Sequence, residues 1–558
     1  MELSNLLPVE VLRKWANEMP DAVYLRQPTA NGTRDYTWSQ SLDTVARMAT
    51  ALKKLGLPKG STIGLMGQNT AEWFLADYAA QAVGLVTIPV IDSATPDTIQ
   101  AVLENSRAQV IFIGKLKAQG AAETIIAQGI MRIGLPGHET QVDHEWDQLV
   151  EASEPLSEAE FVVGDLDDLF SVFYTSGSTG KPKGVEITFR NIIYSALITA
   201  KIFDSKQGEW FFSYLPLAHV AERSAIQYHS LYSYHSVFFN DNLDGFIDNL
   251  RKLAPKVFFS VPRLWMKFQA GLLAKFPQEQ LDKVLQDPKS AELFKKQIKM
   301  MMGLQNAQII GSGTAPISRA VLDWYGKLGI NISEGWGMTE TSGIITAQVP
   351  FRADKLGSVG KLLEGFEGRL AENGELLVKG PGVMRGYHRD PDSTAQVLSE
   401  DGWLRTGDKA RIDEDGYISI SGRVTDIFKS SKGKYVAPVP IESLIFENPF
   451  VEQACVMGSH LHQPAAVIFL TQEAREKTTK EEISTSFEKM LDSVNERVEG
   501  HEKLCAVLLV KDEWSAENGL LTATLKIKRA LLEKKYADMI NGLGEERVVW
   551  EQDTLTEA

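Results

Sequence analysis

Cysteine is nearly missing from this chain: two thiols, Cys455 and Cys505, among 558 residues. A disulfide-stapled secreted scaffold is thereby excluded, and both thiols, each in an apolar strand-like run, are expected to be inert core groups in a reducing compartment. Basic charge is also short, with 58 Lys and Arg against 73 Asp and Glu and a net charge of -15. That balance argues against a nucleic-acid partner. No apolar run reaches membrane-span length, and the start, Met-Glu-Leu-Ser-Asn-Leu-Leu-Pro, has neither the basic opening nor the apolar stretch of a secretory signal. The expectation is a cytoplasmic protein, with weak peripheral attachment to a membrane left open. What remains is ordinary for a globular enzyme: 44% apolar, 23% charged, and length for roughly three to four units of about 150 residues.

Against that background one stretch is dense in chemistry. Tyr174 to Val185 carries Gly177, Gly180 and Gly184, four hydroxyls (Thr175, Ser176, Ser178, Thr179) and two lysines, Lys181 and Lys183. Glycines let amide N–H groups converge, and hydroxyl, amide and ammonium donors at this density suit phosphate oxygens. Walker A spacing fails: counted from Gly177 the second glycine falls on Pro182, and from Gly180 it falls on Val185. Leu169–Tyr174 reads as a buried strand and Val185–Phe189 as another, so the loop is expected to join strand to strand. A flexible Ser/Gly linker is the plain alternative; Pro182 and the flanking strands count against it.

These twelve residues resemble the phosphate loop of the adenylate-forming superfamily, which holds acyl-CoA synthetases, firefly luciferase and peptide-synthetase adenylation domains. Four further segments resemble the family's motifs in the same order. Ile310–Ile317 cannot be a dinucleotide loop, because Pro316 stands at the third glycine position; the resemblance implies Gly313, Thr314 and Ala315 beside adenine. Ser333–Glu340 contributes Glu334, Gly335, Trp336 and Gly337 to nucleotide binding. There Trp336, in place of the usual tyrosine, keeps a stacking face. Thr339 is implied to meet a phosphate and Glu340 to hold Mg²⁺. Trp403–Asp408 supplies Asp408 for the ribose hydroxyls, with Arg423 beside it. Leu521–Arg529 matches the long-chain acyl-CoA synthetase form of the catalytic-lysine motif, with Lys526 as the lysine and Ala523 where proline is common.

The segment around His219 (Leu-Pro-Leu-Ala-His-Val-Ala-Glu-Arg) resembles the same branch's carboxylate-side motif, which implies substrate binding. A lone histidine after a buried strand is more often a core residue. The aromatic run Tyr228–Phe239 could line an acyl pocket, but reads more simply as core. Gly433 matches the glycine lining the thiol tunnel, and Thr425 stands where relatives carry a hinge Asp or Lys.

The fold class expected is α/β. Alternating strand and helix patterns (Ser61–Met66, Asn69–Gly84, Leu85–Ile91, Val110–Gly114, Met131–Leu135) call for a parallel sheet. The resemblance implies a large N-terminal domain of stacked mixed sheets flanked by helices, residues 1–422, and a small α+β C-terminal domain on a hinge, 423–558. Gln278–Lys299 reads as a solvated helical excursion without assigned function. The function implied is ATP-dependent acyl-CoA ligation of a fatty or other hydrophobic carboxylate through acyl-AMP, with ATP, Mg²⁺ and CoA taking part. Alternatives are an acyl-AMP ligase loading a carrier-protein thiol and a non-catalytic nucleotide-binding protein. Chain length of the acid and oligomeric state are not encoded in these motifs.

Overall fold

The computed structural model describes residues 6–29, 32–117, 120–162, 164–176, 181–204, 206–240, 245–459, 461–522, 526–544 and 546–554. Its frame is an eight-stranded sheet in the order 386–387, 182–188, 169–176, 86–90, 62–66, 110–113, 131–134 and 144–145. The strands Val86–Val90, Thr62–Met66, Val110–Ile113 and Met131–Gly134 are parallel, as their spacing by helices requires. Val86–Val90 and Val110–Ile113 are buried throughout, because helices cover both faces of such a sheet and no polar alternation is needed.

The glycine loop does connect two strands. Leu169–Ser176 and Pro182–Thr188 form an antiparallel hairpin, with Tyr174 opposite Gly184 and Thr175 opposite Lys183. Gly177, Ser178, Thr179 and Gly180 lie outside the described residues, as does the Ser176 side chain.

A second sheet orders Val257–Ser260, Ile309–Ser312, Ile332–Met338, Gly343–Ala347 and Lys361–Leu362. Its first three strands are parallel, and the first two end at the edge from which the third runs on to Met338, the place where open α/β sheets collect ligands. Two four-stranded sheets complete this part of the chain, one containing Val23–Thr29 and Gly32–Thr37, the other Leu404–Ile412 paired with Ile418–Arg423.

Beyond the hairpin Phe428–Lys429/Tyr435–Val436 lies a last mixed sheet, Val451–Met457, Ala465–Leu470, Val507–Val510 and Val548–Trp550. Ala465–Leu470 and Val507–Val510, the two inner strands, are apolar at every position for a simple reason. Ala454, Val456, Ile468 and Leu509 pack on one face, while Cys455, Met457, Val467 and Leu508 pack on the other, and helices close both sides.

One expectation needs correction. Cys505 is exposed, since the strand starts only at Val507 and the thiol falls outside its alternation; Cys455 is buried as expected. The excursion at 278–299 is helical as expected, in two helices, Gln278–Gln286 and Pro288–Met301, because Asp287 caps a new helix that opens on Pro288. Among the described residues no helix is long and apolar enough to cross a membrane.

Candidate active site

The site is built where the edge of the second sheet meets the strand pair Leu404–Ile412/Ile418–Arg423. Gly313 follows the strand Ile309–Ser312 and has no room for a side chain: a Cβ there would stand 2.8 Å from the Gly335 carbonyl oxygen and 3.1 Å from the Phe259 ring. Thr314 next to it is held left-handed at φ 69°, a conformation costly for a threonine and found where a loop must be shaped. Ala315 is exposed. In the neighbouring strand a Cβ on Gly335 would lie 2.5 Å from Ile344 Cδ1, and one on Gly337 only 1.9 Å from the Gly343 carbonyl oxygen. These glycines are therefore required by close backbone packing, whatever else they do.

Trp336, between them, points across the cleft. Its indole Nε1 donates to Asp408 Oδ2 at 3.0 Å. Asp408 stands directly opposite Arg423 in the strand pair, and Arg423 Nε lies 3.1 Å from Asp408 Oδ1. Arg423 also donates from Nη1 to the Thr406 carbonyl at 2.7 Å. Burial raises the Asp408 carboxyl above its ordinary range, while Arg423 and the indole work in the opposite direction. Glu334 is buried with one backbone donor, Gly357 N at 3.2 Å, and burial lifts it to about 8.

Thr339 opens the short turn Thr339–Thr341, which directs Glu340 inward. One oxygen of Glu340, Oε1, accepts from the Tyr387 hydroxyl at 3.0 Å. Tyr387 in turn lies under Lys183, whose ammonium is 5.1 Å from the ring centre and donates to Ser393 Oγ at 3.0 Å. The arm of the glycine-loop hairpin and Glu340 are thus linked through one tyrosine. His388 fastens the same hairpin, donating from its backbone N to the Gly184 carbonyl at 2.6 Å and placing Nδ1 2.8 Å from Glu186 Oε1. Thr175 Oγ1 reaches the Lys183 carbonyl at 3.5 Å, the weak end of a hydrogen bond.

Among the described residues no group of three or more His, Cys, Asp and Glu could enclose a metal ion. Magnesium does not require one, since it takes few protein oxygens when phosphates and water supply the rest. Glu340, with one carboxylate oxygen oriented by Tyr387, fits that limited role.

His219 caps the short helix Val220–Glu222, its Nδ1 accepting from Ala221 N at 3.2 Å. Burial, and after it the charge of Lys526, depress the imidazole to about 4. At neutral pH the ring is uncharged and its proton sits on Nε2, leaving a donor there. What fixes this segment is a charge pair deep in the core. Arg223, fully buried, donates from Nη2 to both Asp77 oxygens at 2.9 and 2.8 Å. Its guanidinium lies 4.8 Å from the Trp73 ring and 5.0 Å from that of Phe170. The hydroxyls of Tyr228 and Thr87 and the amides of Gln227 and Gln81 also donate to Asp77.

Glu222 is also buried. Its Oε1 accepts from Ser213 Oγ at 2.7 Å and Tyr214 N at 3.1 Å, yet desolvation raises it to about 8 against an ordinary 4.5. A raised carboxyl contributes its full stability below 4.5 and loses it as pH climbs through 8. Glu222→Gln keeps the acceptor and removes the charge. Relative to wild type the variant should gain stability between about pH 5 and about pH 8.5, on the order of a few kcal/mol. Urea midpoints at the two pH values check this; parallel pH profiles would refute it.

Lys526 belongs to the far end of the chain but reaches this cleft. Its backbone is pinned by reciprocal bonds with Thr522 (Thr522 N to Lys526 O, 2.8 Å; Lys526 N to Thr522 Oγ1, 3.1 Å). The residue as a whole is solvent-exposed, yet the protein around its ammonium lowers the lysine below its ordinary range. Burial is the main cause, Arg423 adds to it, and Asp408 and Glu340 oppose it. Ala523 lies outside the described residues. Gly433 is not brought here: it sits at φ 75° in the exposed turn before Tyr435–Val436. Lys526 apart, the sequence reading missed what connects the site, namely Tyr387, Glu222 and the Asp77–Arg223 pair. Only Glu222 and Arg223 had a signal, by standing inside the His219 motif.

Residues 12–388 match the family described as AMP-binding enzyme, and 425–547 match the AMP-binding enzyme C-terminal domain. The long-chain-fatty-acid–CoA ligase FadD15 of Mycobacterium bovis is 28% identical over 94% of both chains. The peroxisomal long chain acyl-CoA synthetase 6 of Arabidopsis thaliana is 28% identical over 92% of this chain and 82% of its own. In fold, the chain resembles the anthranilate CoA ligase AuaEII in complex with anthranoyl-AMP, with a TM-score of 0.79 at 20% identity over 97% and 100% of the two chains. With the first of these matches spanning well over half of its residues, the chain belongs to the AMP-binding enzyme family.

Proposed function

We propose that this protein is an AMP-forming acid–thiol ligase, joining a fatty or other hydrophobic carboxylate to CoA at the expense of ATP. The observation that carries this reading is the arrival of Lys526, from the end of the chain, within electrostatic reach of Asp408, Arg423, Glu340 and His219. A non-catalytic nucleotide binder has no use for a mobile cation brought to the same cleft as a neutral histidine donor. The long-chain acids named for the relatives support the substrate class.

In the reaction the carboxylate oxygen attacks the α-phosphorus of ATP, the bond to the bridging oxygen breaks, and pyrophosphate leaves with its electron pair. The acyl-AMP anhydride remains. Catalysis here is positioning and charge stabilisation. Trp336 with the Gly313–Ala315 turn holds the base and Asp408 with Arg423 the ribose. Thr339 and the 175–183 loop hold phosphates, and His219 Nε2–H and Lys526 orient the carboxylate. Glu340 would hold Mg²⁺, whose contribution is neutralisation of phosphate charge. In the second step the CoA thiolate attacks the acyl carbonyl and AMP leaves.

We place the moving unit at 423–558, with Arg423–Gly433 as the hinge segment. Rotation would withdraw Lys526 and bring Gly433 to the thiol's approach. The separate apolar cores on the two sides of Arg423 support that division.

A pyrophosphate-release screen over acids from acetate to long fatty acids, with and without CoA, tests the reading. Long-chain acids should give the fastest release, with sustained turnover only when CoA is present. Failure of every acid to yield an acyl-AMP would overturn it, and turnover with a pantetheinylated carrier protein but not CoA would replace the acceptor.

A further inference from the structure

The helix Pro288–Met301 takes no part in the cleft and has two unlike sides. At about 100° per residue, Ala291, Phe294 and Ile298 fall on one side. Ala291 and Ile298 are buried, and Phe294 packs edge-on against Phe276 with ring centres 5.3 Å apart. Lys289, Leu293, Lys296 and Met300 follow one another at spacings of four, three and four, which puts them in a single row on the opposite side, and all four are exposed. Leu293, 62% exposed, and Met300, 59%, are the most exposed large aliphatic side chains among the described residues. Nothing in the fold covers them. Neither Lys289 nor Lys296 forms an ion pair among the described residues.

Charge singles out the same region. Residues 262–301 hold eight Lys and Arg against four Asp and Glu, in a chain whose net charge is -15. We propose that the row Lys289–Leu293–Lys296–Met300 is a docking surface for an anionic lipid bilayer. Apolar side chains alternating with lysines on one convex helix face suit an interface where Leu and Met enter the headgroup layer. The lysine stems then lie alongside while their ammonium groups meet lipid phosphates. The remainder of the chain holds 50 Lys and Arg against 69 Asp and Glu and is on balance repelled, so this helix suits the approach. A protein partner is less well served, because a convex row offers no pocket for an anchoring residue. Attachment through four side chains is weak, reversible and sensitive to salt.

The inference stands apart from the ligase reading, since binding is measured without acid or nucleotide. The full chain is floated with vesicles of phosphatidylcholine containing about one-third phosphatidylglycerol, and with phosphatidylcholine alone. It should rise with the anionic vesicles at low salt, release as sodium chloride is added, and ignore the neutral ones. Leu293→Glu/Met300→Glu and Lys289→Glu/Lys296→Glu should each cut the bound fraction about tenfold, while Leu370→Glu, an exposed apolar site elsewhere, should not. All these side chains are exposed, so the variants should keep the wild-type melting temperature. No flotation with anionic vesicles overturns the proposal, as does unchanged flotation of both double variants. Capture of an acidic soluble protein through these four residues, without vesicle binding, would replace the lipid by a protein partner.

Discussion

Lys526→Ala lowers acid-dependent ATP–pyrophosphate exchange by about three orders of magnitude, or about 4 kcal/mol, and leaves thioester formation from supplied acyl-AMP within about twofold. The asymmetry follows from geometry. Lys526 is the one described group from beyond the hinge segment whose charge is felt by Asp408, Glu340 and His219, so its cation is available where charge gathers as the carboxylate meets the α-phosphate. Thiol attack on a preformed anhydride builds its charge at the acyl carbonyl and needs AMP gripped, which is the task of other residues. A pH profile sharpens the test. Because burial lowers the lysine below its ordinary 10.5, exchange should fall on the alkaline side sooner than an exposed lysine would allow, and the thioester half-reaction should not share that limb. Equal loss of both half-reactions in the alanine variant would remove this role for the lysine.

The parts of this site that can be read from the sequence are those set by local rules. The hairpin around the glycine loop was legible because strand-like apolar runs bracket it; that Gly184 faces Val172 and Tyr174, with no space for a side chain, shows only in the structure. The end of the strand Ile309–Ser312 was legible from a short apolar run that stops at a glycine, whereas Ile332–Met338 continues as a strand through Gly335 and Gly337. Contacts across the chain were not. Trp336 and Asp408 lie 72 residues apart and Tyr387 and Glu340 47 apart, and no periodicity connects them. The Asp77–Arg223 pair could not be foreseen for a different reason. Each residue alone resembles a surface charge, and only a cage of Trp73, Phe170 and Tyr228 makes a fully buried guanidinium tolerable. Cys505 was misplaced by two residues of strand boundary.

Asp408→Asn separates nucleotide grip from lysine chemistry. The amide oxygen can still accept from Trp336 Nε1, so the shape of the cleft is kept, but the charge facing Arg423 and Lys526 is gone. In the proposed role the carboxylate accepts from both ribose hydroxyls, and each charged hydrogen bond lost costs about 1.5–3 kcal/mol. Both half-reactions should therefore slow by about two orders of magnitude, appearing chiefly as a higher KM for ATP in the first and weaker retention of supplied acyl-AMP in the second. A rival account gives the carboxylate a purely electrostatic effect on Lys526. It predicts the Lys526→Ala pattern instead, with exchange impaired and thioester formation spared. Measuring both half-reactions on both variants decides between the accounts, because Asp408 lies on the strand pair before the proposed hinge and Lys526 on the segment proposed to swing. A ligand grip on the fixed side must serve every step, whereas a cation on the moving side serves only the step for which it is present.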